Sequence, residues 1–216
     1  RQGSAASFSA CHTVCHVQAA RGTAITSLSD IGPNERRRLR LLVALIAVAG
    51  LTADLVTKII AVTHLEPLAS VRLLGGLLTL RLIRNPGAAF SQGQRFTYVF
   101  AVAGIIVLAF VIIKLVPRIG HPAWAVAIGL LCAGVAGNLT DRLFRPPGPL
   151  RGHVIDFLEL PHWPIFNVAD MCITAAAILI MFLSVIKGIS ITGQRHGRGG
   201  RDETGDDHDR STVARG

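Results

Sequence analysis

The stretch LLVALIAVAGLTADLVTKIIAV, residues 41–62, is apolar almost throughout, and Asp54 and Lys58 are its only charged residues. A helix that crosses about 30 Å of hydrocarbon needs about 20 predominantly apolar residues. The stretch is long enough to do so. We therefore predict that it forms a transmembrane helix.

Three further stretches have the same character: residues 96–113, 122–140 and 166–186. The first two carry no charge, and Asp170 lies near the start of the third. Only 16% of all residues are charged and the mean hydropathy is +0.50, whereas a soluble domain carries about a quarter charged residues. The sequence therefore predicts an α-helical integral membrane protein with four transmembrane helices.

The basic residues predict the topology. A formal net charge of +9 is compatible with nucleic-acid binding, but arginines and lysines beside membrane spans usually set orientation. ERRRLR at residues 35–40 precedes the first span, and Lys114 and Arg118 separate the second from the third. We expect both termini in the cytoplasm, loops 63–95 and 141–169 outside, and no nucleic-acid partner.

The two ends of the chain differ from its middle. Residues 1–38 and 191–216 are polar or of mixed charge, and such segments bury too little apolar surface to fold alone. We predict that both are disordered cytoplasmic extensions around a membrane domain at 39–190. CHTVCH at residues 11–16 lacks the second ligand cluster of a tetrahedral site, so we predict neither a metal nor a cofactor.

The first outer loop contains a strand pattern. In LLTLRLIRN, residues 77–85, Leu78, Leu80 and Leu82 alternate with other residues, which is the period of a half-buried strand. A strand in or near lipid must pair with a partner to satisfy its backbone. We predict a small extracytoplasmic sheet, or β-cradle, resting on the membrane surface.

Three asparagines lie where apolar segments meet the predicted outer face: Asn85, Asn138 and Asn167. Each amide has two donors and one acceptor, and taken singly each is typical of a turn or a helix cap. Because they come from three separate segments that end at one face, they favour a shared site. Asp141 and Arg142 follow Asn138 closely.

Asp54 and Lys58 are four residues apart on the first predicted helix, so they share a face and can pair. Charges inside spans usually pair with one another. We interpret them as a structural ion pair. A place on a substrate or proton path is the alternative.

Asp156 and Asp170 are the acids that call for a functional explanation. Asp156 lies in the apolar VIDFL, where desolvation would raise the pKa of its carboxyl group. Asp170 could equally cap the fourth helix. Two close carboxylates share one proton, and such a pair can activate water and polarise a peptide carbonyl.

Five motifs carry a family resemblance, in order: DLVTK at 54–58, RNPGAAFS at 84–91, GNLTDR at 137–142, VIDF at 154–157 and FNVADMCI at 166–173. Together they resemble the motifs of lipoprotein signal peptidase (signal peptidase II), a bacterial membrane aspartic protease. The resemblance covers roughly residues 40–187.

The resemblance implies the same four-helix architecture with a β-cradle, in a bacterial cell membrane with the active site at its outer face. It implies that Asp156 and Asp170 form the catalytic dyad. The residues that would support the dyad or orient the substrate are Asn85, Asn138, Asp141, Arg142 and Asn167. The implied reaction removes the signal peptide from a prolipoprotein before its diacylglyceryl-modified cysteine, which membrane lipid holds at the bilayer surface.

A small proton-coupled transporter is the alternative function, because it too would keep carboxylates in its spans. Such a protein places them near the bilayer midplane, often in two related halves. Here most of the acids lie toward one face and no halves repeat, which favours the peptidase.

Overall fold

The computed structural model describes residues 32–65, 70–87 and 97–193. The predicted membrane domain at 39–190 lies largely within these ranges. The CHTVCH segment and most of the two predicted extensions lie outside them.

Four helices run through the described chain: α1 at Pro33–His64, α2 at Thr97–Phe110, α3 at Pro122–Phe144 and α4 at Val168–Met181. A π-helical turn and a 3₁₀ turn extend α2 to Arg118, and a π-helical turn extends α4 to Ile186. Each of the four extended helices is long and apolar enough to cross a membrane. The predicted four-helix membrane fold is confirmed.

Helix α1 begins before the apolar run that predicted it. Pro33 stands at its first position, where a missing N–H costs nothing and the fixed φ suits a helix. The segment 33–38, assigned to the extension from its charge, is therefore helical. Charged residues show where the apolar run begins, but the helix itself can extend into the charged segment.

Helix α3 is the centre of the bundle, and its glycines permit close contact with its neighbours. A Cβ atom on Gly137 would lie 2.5 Å from Oδ2 of Asp54, and one on Gly134 would lie 2.6 Å from Cγ1 of Ile173. Both distances are shorter than real Cβ contacts. A larger residue at either position would force a neighbouring group to move, so glycine allows α1 and α4 to pack closely against α3.

One end of the bundle is packed entirely with apolar side chains. We call it the apolar end, and its buried members include Leu39 and Val43 of α1, Val111 after α2, Ile128 of α3 and Leu183 after α4. By contrast, large apolar side chains such as Leu45 and Val48 lie on the outside of α1, 67% and 62% exposed. Apolar side chains both inside the bundle and on its outer surface are expected of helices that contact lipid.

A three-stranded antiparallel sheet lies at the opposite end, which we call the sheet end. The strands are β1 at Ser70–Leu73, β2 at Leu78–Asn85 and β3 at Val154–Glu159, in the order β1–β2–β3. The predicted strand at 77–85 is confirmed as β2. Its partner β3 escaped prediction because its first four residues are all buried, so VIDF lacks the alternation that marks a strand with one wet face.

The sheet rests on the end of α1 and leads the chain back into α4. Ile155 and Phe157 of β3 pack against Ala61 of α1. After β3 the chain reverses, and Leu158 and Phe166 exchange backbone hydrogen bonds of 2.9 Å in each direction. This reversal brings the start of α4 beside β3.

Candidate active site

Asp156 lies in the middle of β3 and is only 3% exposed. Its Oδ2 accepts a hydrogen bond from Nδ2 of Asn85 at 2.9 Å, and its Oδ1 accepts one from Nδ2 of Asn167 at 2.6 Å. The pKa of Asp156 is raised to about 6, mainly by burial. The hydrogen bond from Asn85 lowers this pKa, and the negative charge of Asp170 raises it. Asp156 is thus an acid whose proton is exchangeable near neutral pH.

Asp170 lies in the first turn of α4, where it belongs to a capping box. The side chain of Asn167 accepts from the backbone N–H of Asp170 at 3.0 Å, and Oδ2 of Asp170 accepts from the backbone N–H of Asn167 at 3.3 Å. The other oxygen, Oδ1, accepts from Nδ2 of Asn138 at 2.8 Å. The sequence left a cap and a site acid as alternatives, and the geometry of Asp170 is compatible with both.

The three predicted asparagines come together around the two acids. Asn85 ends β2, Asn138 lies on α3 and Asn167 caps α4. Asn167 is the link between the acids, since its side chain donates to Asp156 while its backbone donates to Asp170. Its Nδ2 also lies 3.2 Å from Oδ1 of Asn138.

The predicted Asp54–Lys58 pair is present and is part of a larger cluster. Nζ of Lys58 lies 2.7 Å from Asp54 and 2.8 Å from Asp141, and all three side chains are at most 1% exposed. Lys58 also donates to Oδ1 of Asn138 at 3.2 Å. Spacing along one helix could predict the first contact, whereas the others join helices far apart in sequence.

Asp141 does not touch Asp156 or Asp170 through a hydrogen bond, but it holds the strand that carries Asp156. Its Oδ2 accepts from the backbone N–H of Ile155 at 3.2 Å, and its Oδ1 pairs with Arg145. Sequence reasoning missed Arg145, although its spacing of four residues from Asp141 on a helix was a usable signal.

Arg142 is the remaining predicted residue, and one nitrogen of its guanidinium group is buried. Its guanidinium carbon lies 5.4 Å from the ring centroid of Phe100, in cation–π geometry. Its Nη1 is buried and has no hydrogen-bond partner within the described ranges. The charges of Asp156, Asp141 and Asp170 all act on it. Within the described part of the chain, Arg142 thus has a buried N–H group that no other group accepts.

The whole arrangement suits acid–base chemistry. Each acid is held by amide N–H groups from separate elements, and one of the two is an acid with a pKa near 6. A general acid or base works best when its pKa lies near the working pH. The cation and amides around the pair could orient a carbonyl group.

Comparisons with known proteins point to one family. Residues 46–186 match the family described as Signal peptidase (SPase) II. The lipoprotein signal peptidase of Mycobacterium tuberculosis (strain ATCC 25618 / H37Rv) is 44% identical over 170 residues, which is 77% of this chain and 82% of that protein. The lipoprotein signal peptidase of Rhodococcus jostii (strain RHA1) is also 44% identical, over 73% of this chain and 79% of the relative.

A solved structure agrees with these matches. It is described as a bacterial membrane enzyme determined by the in meso method at 1.9 Å resolution, and it is 32% identical to this chain with a TM-score of 0.59. The alignment covers 66% of this chain and 92% of the solved one.

Proposed function

The chain belongs to the signal peptidase II family, and from that premise we propose that it is an aspartic endopeptidase whose dyad is Asp156 and Asp170. It is a multi-pass membrane peptidase that acts on prolipoproteins. One observation carries the proposed catalytic type: two carboxylates from separate elements are joined through Asn167 in a largely buried site.

The proposed step uses the pair as one acid and one base. Ionised Asp170 takes a proton from water, whose oxygen attacks the carbonyl carbon of the scissile bond, while protonated Asp156 donates to the carbonyl oxygen. The tetrahedral intermediate then collapses: one hydroxyl proton returns to Asp156, the C–N bond breaks, and the nitrogen leaves with the proton that Asp170 took from water. Asp156 is assigned the proton because its pKa is raised to about 6, and a bound peptide that excludes water would raise that pKa further.

Arg142 and the asparagines are proposed to orient the reacting groups. Nη1 of Arg142, which is buried and has no hydrogen-bond partner among the described residues, is suited to a substrate carbonyl, since an unpaired buried donor is costly until a partner arrives. Asn85 and Asn167 hold both oxygens of Asp156, and Asn138 holds one oxygen of Asp170. Asp141 acts at one remove, through Ile155.

We propose that the substrate is lipidated and reaches the site through the membrane. A diacylglyceryl group on the cysteine contributes about 0.8 kcal/mol for each buried methylene, so it would hold the scissile bond at the bilayer surface. The dyad lies at the sheet end of four helices that could cross a membrane. A scissile bond held at the membrane surface and an acid pair at one end of the bundle would therefore lie at the same depth.

The proposed orientation places both termini in the cytoplasm, and the sheet end and the dyad at the outer face of a bacterial inner membrane. The basic residues at 36–40 support it. The proposed domain organisation keeps one peptidase domain at 39–190 between two extensions. The transporter alternative is not favoured, because the family and the named relatives are peptidases.

The test is cleavage of one prolipoprotein by purified protein in detergent, with and without prior transfer of diacylglycerol to its cysteine. We expect a size shift that is much faster for the lipidated form. Equal rates would contradict the lipid requirement, and no cleavage of either form would contradict the proposed function.

A further inference from the structure

Lys58 lies at the centre of the buried charges, and its ammonium group has three close partners. It has three N–H donors and three acceptors around it: Asp54 at 2.7 Å, Asp141 at 2.8 Å and Asn138 at 3.2 Å. The side chain is 0% exposed. The ammonium group thus pairs with two carboxylates and donates a hydrogen bond to one amide, which joins α1 to α3.

The two carboxylates on Lys58 each hold the backbone immediately before one acid of the dyad. Asp141 accepts from the N–H of Ile155, the residue before Asp156. Asp54 accepts from the N–H of Ala169, the residue before Asp170, at 2.8 Å. One ammonium group therefore restrains two separate elements, β3 and α4, at matching positions.

The third acceptor gives a route to a dyad side chain. Lys58 can only donate, so it requires the oxygen of Asn138 to face it and turns the amide nitrogen the other way. That nitrogen donates to Oδ1 of Asp170 at 2.8 Å. A reversed amide would present its oxygen to a carboxylate, which is repulsive.

From these three routes we infer that Lys58 is a positioning residue that sets the relative geometry of Asp156 and Asp170. The inference rests on the proposed function, in which these two acids form the dyad. It goes beyond a structural ion pair between Asp54 and Lys58, because such a pair only has to cancel the two buried charges. Positioning needs the donors of Lys58 at their present places.

Two variants separate positioning from charge. Lys58→Arg keeps the charge, but its planar fork cannot place three N–H groups on the same three acceptors. The double variant Asp54→Asn with Lys58→Met removes both charges, and replacing a buried ion pair by neutral groups is often tolerated by the fold. Val43→Ala is the matched control, since it removes buried atoms from α1 at the apolar end and leaves the cluster intact.

The first measurement is steady-state cleavage of a lipidated prolipoprotein by folded, purified variants. Because a misplacement of about 1 Å can cost about a hundredfold in rate, we expect kcat to fall about that much in both Lys58 variants. We expect KM to change by less than about twofold, since Lys58 acts on the dyad through Asp54, Asp141 and Asn138 and has no proposed contact with substrate. Val43→Ala should keep the wild-type kcat even where its Tm falls equally.

The second measurement is hydrogen–deuterium exchange of peptides that cover residues 154–157 and 168–171. The N–H groups of Ile155 and Ala169 should exchange faster in both Lys58 variants but not in Val43→Ala. If wild type cleaves its substrate and the Lys58 variants match the control in kcat, the inference is wrong and the proposed function stands. If wild type does not cleave, the proposed function fails. Unchanged exchange of the Ile155 and Ala169 amides in the Lys58 variants would refute the positioning role.

Discussion

The apolar end and the sheet end of this bundle are built by opposite means. At the apolar end, side chains such as Val43, Ile128 and Leu183 from different elements fill a common core. At the sheet end, the fully buried side chains include Lys58 and Asn167. Buried charge is a poor source of stability compared with apolar packing of the same volume. The difference indicates that the apolar end holds the fold, while the sheet end gives up stability for function.

Removing one acid at the sheet end should have the largest effect on activity. We expect Asp156→Asn and Asp170→Asn each to lower kcat by about 10⁴-fold or more, because members of a catalytic unit fail together. Each variant should stay folded, as the apolar end is untouched. The measurement is single-turnover cleavage beside a thermal unfolding scan, and normal turnover in either variant would remove that residue from the dyad.

Removing apolar volume at the apolar end should lower stability and leave activity unchanged. Ile128 is 0% exposed, so Ile128→Ala should lower the free energy of unfolding by about 2–5 kcal/mol. The kcat of the protein that remains folded should not change. Chemical denaturation and an assay at reduced temperature would check both halves. A large fall in kcat at full folding would break the proposed division between the two ends.

A contact between helices should link the two ends. A Cβ atom on Gly134 would collide with the carbonyl oxygen of Ala169, the residue before Asp170. We expect Gly134→Ala to shift the start of α4 and lower kcat by about a hundredfold. Gly104→Ala is the control, because its nearest atom would be 3.7 Å away on Leu139, and it should be active. Equal activity of the two variants would count against a closely constrained Asp170.

The pH dependence should depend on the amides around Asp156. The proposed step needs Asp156 protonated, and its pKa is about 6, so kcat/KM should fall about tenfold per pH unit as pH rises above about 6. The Asn85 hydrogen bond lowers this pKa. Asn85→Ala should therefore raise the pKa and move the falling limb to higher pH, by up to about one unit. A limb that moves to lower pH would reverse the assignment of the proton.

The same raised pKa affects stability with a definite sign. Between about pH 4 and about pH 6 the folded Asp156 binds more protons than the unfolded one, so its contribution to stability is lost as pH rises through this window. The shift corresponds to roughly 3 kcal/mol. Asp156→Asn should flatten this part of the stability curve, as measured by unfolding at several pH values.

The smallest effect should come from the exposed ion pair of the sheet. Arg81 and Glu159 are 3.9 Å apart with side chains 52% and 32% exposed. Arg81→Gln should change the free energy of unfolding by less than about 0.5 kcal/mol and leave cleavage unchanged. Thermal unfolding at low and high salt would measure it. A larger loss would show that charge at the sheet end also stabilises the fold.

The sequence was sufficient for the fold wherever one face of an element meets lipid or core. Long apolar runs predicted all four helices, and alternation predicted β2. The same rule could not find β3, because VIDF is buried on both faces, or β1, whose four residues are all exposed. Both lack the contrast between faces on which the prediction depends.

The predicted site residues came from motifs, and their contacts came only with the structure. The resemblance assigned roles to Asp156 and Asp170, and the structure brings them to one place through Asn167. The contact of Lys58 with Asp141 joins α1 to α3, and no local spacing encodes a pairing between helices. Spacing of four residues can reveal partners such as Asp54 and Lys58, but not a third partner on another helix.

The spacing of Asp54 and Lys58 also has a consequence for how the chain enters the membrane during synthesis. A single ionised residue at the centre of an inserting helix costs about 2.5–3.5 kcal/mol. These two lie one turn apart on α1 with their charged atoms 2.7 Å apart, so they can neutralise each other within one helix as it leaves the insertion machinery. Asp141 and the N–H of Ala169 arrive only with later segments. The first span can thus insert with its charges paired, and the same charges are ready when the remaining helices assemble.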